Sequence, residues 1–433
     1  MHTLEQLRSG ALAGTKILRL TGAGLSAFPQ EIFDLAETLE VLDISGNALD
    51  TLPDDLPRLQ KLRVLFCYNN AFQDLPAVLG RCPSLSMLGF KANRIRTVPA
   101  EALSSHLRWL ILTDNAIDKL PDEIGRCAPL QKLMLAGNRL EALPDTLAAC
   151  TCLELLRISA NRLSALPSWL TTLPRLAWPA IAGNPFMNEP DPSATDPSFA
   201  WDDLALETLL GEGASGHIYR ARHRDGTLLA IKVFKGAMTS DGLPHNEMIA
   251  CLAAGHHPNL IPILGRVTGH PEGRDALAMT LIDPAFVPLA GPPSLESCTR
   301  DVYDDGLRFD PDTVVRIATG IASAVCHLHA RGLIHGDLYA HNILHAPGRE
   351  PLLGDFGGAA LYGEANTGLE QPTLECVEVR AFGCLLEELI SRCDSPPWGV
   401  VELAAACLSD VPSQRPLFEE IVTRLRESEG RPI

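Results

Sequence analysis

Residues 333–344, LIHGDLYAHNIL, set a His-x-Asp and, five residues beyond the aspartate, an asparagine between apolar flanks. Ten residues later the run LLGDFGGAA holds a further aspartate, Asp355. Carboxylate and carboxamide oxygens are the ligands a hard divalent cation takes, and a poised carboxylate can also accept a proton. Upstream, residues 209–234 read LLGEGASGHIYRARHRDGTLLAIKVF, with Gly211, Gly213 and Gly216 spaced G-x-G-x-x-G. Glycines so spaced let backbone amides approach a phosphate with no side chain between. A cation, a phosphate and a proton acceptor are the ingredients of phosphate chemistry.

Which phosphate chemistry depends on the elements that carry these residues. A dinucleotide-binding turn runs from its glycines into a helix. Here an apolar strand follows (Ile218, Tyr219), then an Asp225-Gly226 hairpin signal, then a second strand, TLLAIKVF, carrying Lys232. About 15 residues on, a helix is expected from Pro244, with Glu247 in it, and a His-Pro-Asn-Leu turn then leads into a strand. Residues 276–286, ALAMTLIDPAF, read as a strand followed by an irregular stretch. Asp310 and Pro311 open another helix, with Val314, Ile317, Ile321, Val325 and Leu328 on one face, that runs up to the His-x-Asp.

This order and spacing resembles a protein kinase domain over about residues 203 to 428, of the bilobal α+β fold, and the resemblance assigns roles. Ala230, Ile231 and Lys232 match the end of Val-Ala-Ile-Lys, so Lys232 would hold the α- and β-phosphates of ATP and Glu247 would pair with it. Gly211, Gly213, Gly216, Ile218, Ala230 and Met279, a candidate gatekeeper, would complete the nucleotide site. Asp337 falls where the family's base accepts the substrate hydroxyl proton. Asn342 and Asp355 fall where magnesium is held, and His335 would be a structural brace. CLSDVPSQRPLFEEI resembles the closing helix of tyrosine-kinase-like kinases, with Arg415 as its structural arginine.

Four departures qualify the resemblance. Gly336 replaces the loop arginine that in many kinases meets a phosphorylated activation segment, so a regulatory contact is lost and activity without loop phosphorylation is expected. Tyr339 stands where Ser/Thr kinases have a lysine that steadies the γ-phosphate; His341 stands where some tyrosine kinases have an arginine and could substitute in part. Glu378 replaces the aspartate that opens the next helix, and the glutamate partner of Arg415 is open among Glu364, Glu370 and Glu375. The stretch between Cys393 and Val401 is too short for the family's substrate-docking helix, which makes the second lobe a shortened one. The expectation is an ATP- and magnesium-dependent protein kinase, Ser/Thr by family frequency, able to phosphorylate a recruited protein or itself at Thr367 or Thr373. The alternative is an ATP-binding pseudokinase scaffold that works through protein interaction.

The first half is built differently. Asparagines at 47, 70, 93, 115, 138, 161 and 184 recur every 23 residues with a single step of 22, inside the pattern L-x-x-L-x-L-x-x-N-x-L-x-x-L-P. One short strand per copy, a buried L-x-L and an asparagine that satisfies turn backbone follow physically, and stacked copies bury a shared core. The pattern resembles the leucine-rich repeats of Roco and related signalling proteins, an α/β solenoid of about eight copies over residues 15 to 188. The residues MHTLEQLRSGALAG would cap it with a short helix. Phe66, Tyr68, Trp109, Ile111, Met134 and Trp178 would face the concave side, as an apolar surface for a protein partner or regulator, or for docking within the chain. The expected division is 1–188 for the repeats, 189–202 for a Pro-rich linker and 203–430 for the second domain.

Composition agrees with two folded domains: 433 residues, 46% of them apolar. The net charge of −17 lies mostly in the second half: residues 1–190 hold 18 basic and 19 acidic side chains, and the rest hold 18 and 34. Such acidity disfavours binding to nucleic acid by neutralising its backbone. The 12 cysteines include no C-x-x-C pair, which argues for reduced thiols rather than a disulfide framework or zinc. With no signal-like opening segment and no apolar run long enough to span a bilayer, a cytoplasmic protein is expected.

Overall fold

The computed structural model describes residues 2–187, 197–236, 238–362 and 373–429. The chain divides into two compact units, Met1–Arg175 and Leu176–Ile433.

The first unit opens on helix α1 (Leu4–Arg8), whose free N-terminal amides are met by a reciprocal pair, the Thr3 hydroxyl on Gln6 N and the Gln6 side chain on Thr3 N. Seven parallel strands follow: β1 (Ile17–Arg19), β2 (Val41–Asp43), β3 (Val64–Phe66), β4 (Met87–Gly89), β5 (Trp109–Ile111), β6 (Lys132–Met134) and β7 (Leu155–Arg157). Each pairs in register with the next, so Leu18, Leu42, Leu65, Leu88, Leu110, Leu133 and Leu156 stack as one buried column. The return of each copy is a single 3₁₀ turn. In the copies starting at Pro29, Pro76, Pro99, Pro121, Pro144 and Pro167 an extended proline precedes that turn, a position where fixed φ and a missing N–H cost nothing. The asparagines do what the pattern implies. Asn161 accepts from Leu140 N (3.1 Å) and donates to the carbonyls of Leu135 (3.0 Å), Ile158 (3.0 Å) and Ser159 (3.2 Å), and Asn47, Asn70, Asn93, Asn115 and Asn138 repeat the arrangement.

On the strand side, Phe66 stacks on Tyr68 (5.1 Å), Trp109 meets Phe66 edge-on (6.5 Å), and Lys132 Nζ sits 4.2 Å over Trp109. Phe66, Tyr68 and Trp109 are half-buried, but Ile111 and Met134, neighbours in register, are buried. The exposed apolar surface of the array is therefore narrower than the sequence pattern suggests.

The second unit begins with strand β8 (Trp178–Ala180), fully buried, and so reaches further upstream than the sequence division at residue 188. Of the expected linker 189–202, residues 189–196 lie outside the described residues. Its end is a strand, not a spacer: β9 (Ser198–Ala200) runs parallel to β13 (Ile263–Thr268) at one edge of a six-stranded sheet. The other strands are β10 (Leu204–Glu212), β11 (Gly216–His223), β12 (Leu228–Phe234) and β14 (Ala276–Thr280), in the order β10-β11-β12-β14-β13-β9. Asp225 accepts from Thr227 N (2.8 Å) and Gly226 takes φ 92°, which closes the β11–β12 hairpin. Ala221, Leu229, Ile231, Val233, Val267 and Ala278 form the sheet core. Helix α2 (Pro244–Ala254) belongs to this lobe.

The second lobe is mainly helical. Asp310 caps helix α3 (Pro311–Ala330) by accepting from Thr313 N (2.8 Å), and its expected face, Val314, Ile317, Ile321, Val325 and Leu328, is buried throughout. By length and composition α3 could cross a membrane, but half of its most apolar window is buried inside the lobe. Short strands β15 (Val287–Pro288), β16 (Leu333–Ile334), β17 (Ile343–His345), β18 (Leu352–Leu353) and β19 (Ala360–Leu361) precede helices α4 (Thr373–Ile390), α5 (Trp398–Cys407) and α6 (Phe418–Glu429). Residues 391–397, between α4 and α5, form no helix, which is the trimmed connection read from the sequence.

Candidate functional site

The β17–β18 pair assembles one wall of the site. Ile343 pairs with Leu353 antiparallel, so Asn342, just before one strand, and Asp355, just after the other, arrive at the same end. Gly354 N donates to Asn342 O (3.0 Å), and His335, wholly buried, joins Gly354 O through Nε2 (3.0 Å). Asn342 Nδ2 donates to both the main-chain oxygen and Oδ2 of Asp337, each at 2.9 Å. Backbone pairing thus brings Asn342 and Asp355 to one end, and the Asn342 side chain ties Asp337 to them.

Lys232 stands on the other lobe. Strand β12 places it between Ile218 of β11 and Leu277 of β14, and its ammonium meets Glu247 of α2, itself buried. Burial alone would pull the Lys232 ammonium down; the carboxylates of Glu247 and Asp355 outweigh it and hold the group above the ordinary lysine range. A cavity of about 680 Å³ lies between the two walls, lined among others by Gly213, Gly216, Ile218, Ala230, Lys232, Glu247, Met279, Asn342 and Asp355. Gly211 and Asp337 are not in its lining, although each adjoins residues that are. A larger hollow of about 780 Å³ beside α3 and α5 contains none of the candidate catalytic, nucleotide-binding or metal-binding residues.

The glycines differ in what holds them. A Cβ on Gly216 would come within 2.6 Å of Val233 O, so the hairpin itself requires glycine there. A Cβ on Gly211 or Gly213 would meet nothing within 4 Å, so packing among the described residues gives no reason for glycine at either. Asp355 holds φ 55°, a left-handed conformation costing a non-glycine residue roughly 1 kcal/mol.

The loop that carries Asp337 is braced by groups whose roles the sequence left open. Glu378 of α4, wholly buried, accepts from Gly336 N (2.6 Å) and His335 N (3.2 Å) and contacts His329 Nε2 (2.7 Å). His341 pairs with buried Asp301 through Nδ1 (2.7 Å). Burial lowers this histidine, but Asp301, aided by Asp337 and Asp355, holds it above the usual range. Nothing in the sequence singled out Asp301, which lies 40 residues upstream in a stretch without periodicity. Arg415 donates to the carbonyls of Ser409 (2.9 Å) and Cys376 (2.8 Å). Of its three candidate partners, Glu375 accepts from the Tyr362 hydroxyl (2.8 Å), and Glu364 and Glu370 lie outside the described residues, as does Thr367.

Comparison with known proteins agrees with both halves. Residues 204–377 match the family model described as protein kinase domain, and residues 105–163 and 38–59 match two leucine-rich-repeat models. The chain is 32% identical over 163 residues to serine/threonine-protein kinase PBL27 of Arabidopsis thaliana, covering 36% of this chain and 29% of that protein. It is 28% identical over 135 residues to plant intracellular Ras-group-related LRR protein 8 of Oryza sativa subsp. japonica, covering 30% and 36%. Over 274 residues it is 26% identical to a probable inactive receptor kinase of Arabidopsis thaliana, covering 50% and 40%. The chain spans less than half the length of each of these relatives.

Proposed function

We propose that this chain, which joins leucine-rich repeats to a protein kinase domain, is a cytoplasmic serine/threonine kinase that transfers the γ-phosphate of ATP to a protein hydroxyl. The observation that carries the reading is that Asn342, bonded to Asp337, and Asp355 line one wall of a cavity whose other wall carries the Lys232–Glu247 pair. In this reading Asp337 accepts the hydroxyl proton, Lys232 holds the α- and β-phosphates, and the backbone at Gly211, Gly213 and Gly216 lies over them. Asp355 and Asn342 would hold magnesium, which spreads the charge that builds up on the transferred group. Ile218, Ala230 and Met279 line the place for the adenine. The repeats would recruit a protein through Phe66, Tyr68 and Trp109.

One observation favours a second reading, an ATP-binding scaffold. The position two beyond Asp337 carries an aromatic ring instead of a cation, so transfer has less charge to assist it. Phosphate transfer from ATP and magnesium by the full chain, beside Asp337→Asn, separates the two. Loss of a general base predicts a fall of roughly 10²- to 10⁴-fold in turnover with ATP affinity retained. If wild type and variant are equally inert while ATP still raises thermal stability, the scaffold reading stands instead.

A further inference from the structure

Tyr339 and Gly336, the two departures inside the catalytic loop, meet the same short stretch of chain. Trp178 of β8, only 2% exposed, lies flat on Tyr339 with ring centroids 4.3 Å apart and planes 8° from parallel. Its indole N–H donates to Leu338 O at 3.0 Å, across 160 residues of sequence. Gly336 holds φ 67°, and a Cβ there would fall 2.5 Å from the carbonyl oxygen of Pro179 and 2.3 Å from that of Gly358. The Tyr339 ring also meets His341, with centroids 5.0 Å apart, and His341 is tied to Asp301. Asp337 therefore sits between a glycine closed in by backbone and a leucine whose carbonyl is pinned, and Asn342 follows directly on the residue that ends the stack.

We propose that Trp178 is a positioning residue for phosphate transfer: β8 splints the catalytic loop through the stack on Tyr339 and the bond to Leu338 O, so that Asp337 and Asn342 are held without an arginine at position 336. The inference rests on the kinase reading above. It also assigns Trp178, which the repeat period places on a partner-binding face, to the catalytic loop. A buried tryptophan packs hydrophobically wherever it lies, so bulk burial alone does not make the case. The coplanar stack, the directed N–H and the glycine closed in by Pro179 do, because together they fix the loop on both sides of Asp337.

The test compares wild type, Trp178→Phe, which keeps an aromatic ring, and Trp178→Leu, which keeps apolar volume without stack or N–H, all in the full chain. Displacing a reacting group by about 1 Å costs on the order of 10²-fold. The expected result is a kcat about a hundredfold lower in Trp178→Leu, a smaller loss in Trp178→Phe, and an ATP dissociation constant within about threefold of wild type in both. Amide hydrogen exchange over residues 336–342, faster in Trp178→Leu, reads the splint without turnover. Inactive wild type would sink the kinase reading alone, leaving the exchange comparison to decide the splint. An unchanged kcat in Trp178→Leu with active wild type, unchanged exchange, or loss of ATP binding in step with kcat would each overturn the proposal.

Discussion

Replacing Glu378 by glutamine keeps the length and shape of the side chain and removes its charge, which makes it a sharp probe of the catalytic-loop brace. One carboxylate oxygen takes Gly336 N at 2.6 Å, and the other takes His335 N at 3.2 Å and His329 Nε2 at 2.7 Å. The best glutamine orientation keeps its oxygen on Gly336 N and turns its NH₂ toward His329, whose ring can accept by changing tautomer. The buried His335 N–H then faces a donor, at a cost of about 1–3 kcal/mol, and the bond to Gly336 loses its charge assistance, about 1 kcal/mol more. The sum, roughly 2–4 kcal/mol of local opening, corresponds to roughly 30- to 1,000-fold faster exchange at the amides of residues 335 and 336. Acidity sharpens the test. Burial raises the Glu378 pKa, but His329, His335 and Gly336 N outweigh it and leave the folded value below the ordinary glutamate range. The folded state then binds fewer protons than the unfolded one, so this stabilisation is complete above the unfolded pKa and is lost as pH falls through the folded value. Wild type should therefore approach the variant as the solution is acidified below about pH 4.5. Equal exchange at neutral pH, or a gap that does not narrow in acid, would refute the account.

Two further predictions concern the scaffold. Asn161→Ala removes four hydrogen bonds from a buried turn and should destabilise the repeat unit by roughly 2–4 kcal/mol, read as a lower denaturation midpoint; an unchanged midpoint would mean the asparagine column is dispensable. Gly336→Ala must place a Cβ at φ 67° against two backbone carbonyls, so it should destabilise the second unit by more than about 3 kcal/mol, and a melting temperature equal to wild type would show that the loop can move aside.

What the sequence revealed and what it hid divide along physical lines. A period of 23 residues is visible because each copy buries the same positions against its neighbours, so Leu133 and Asn138 announce themselves by recurrence. The wall of Asp337, Asn342 and Asp355 was legible because its spacing is set by two short paired strands close in sequence. The period says which way Trp178 points but not what it meets, because its partner is 160 residues away. Edge strand β9 was hidden for a different reason: three residues beside a Pro- and Asp-rich run make no pattern, and only pairing with β13 makes Ser198–Ala200 a strand.

The same distinction changes what Gly336 means. As a missing arginine it suggests lost regulation, but the carbonyls of Pro179 and Gly358 leave no room for any side chain there, so the position is set first by packing. Tyr339 follows the same logic: its ring stacks on Trp178 and meets His341, and exchange for a lysine would break that stack. If the loop positions Asp337 as proposed, its rigidity offsets the missing cation two residues on. Proximity and orientation can lower a barrier by several kcal/mol, whereas one lost phosphate contact costs about 3 to 4, so a braced loop without the lysine remains compatible with slow but real transfer.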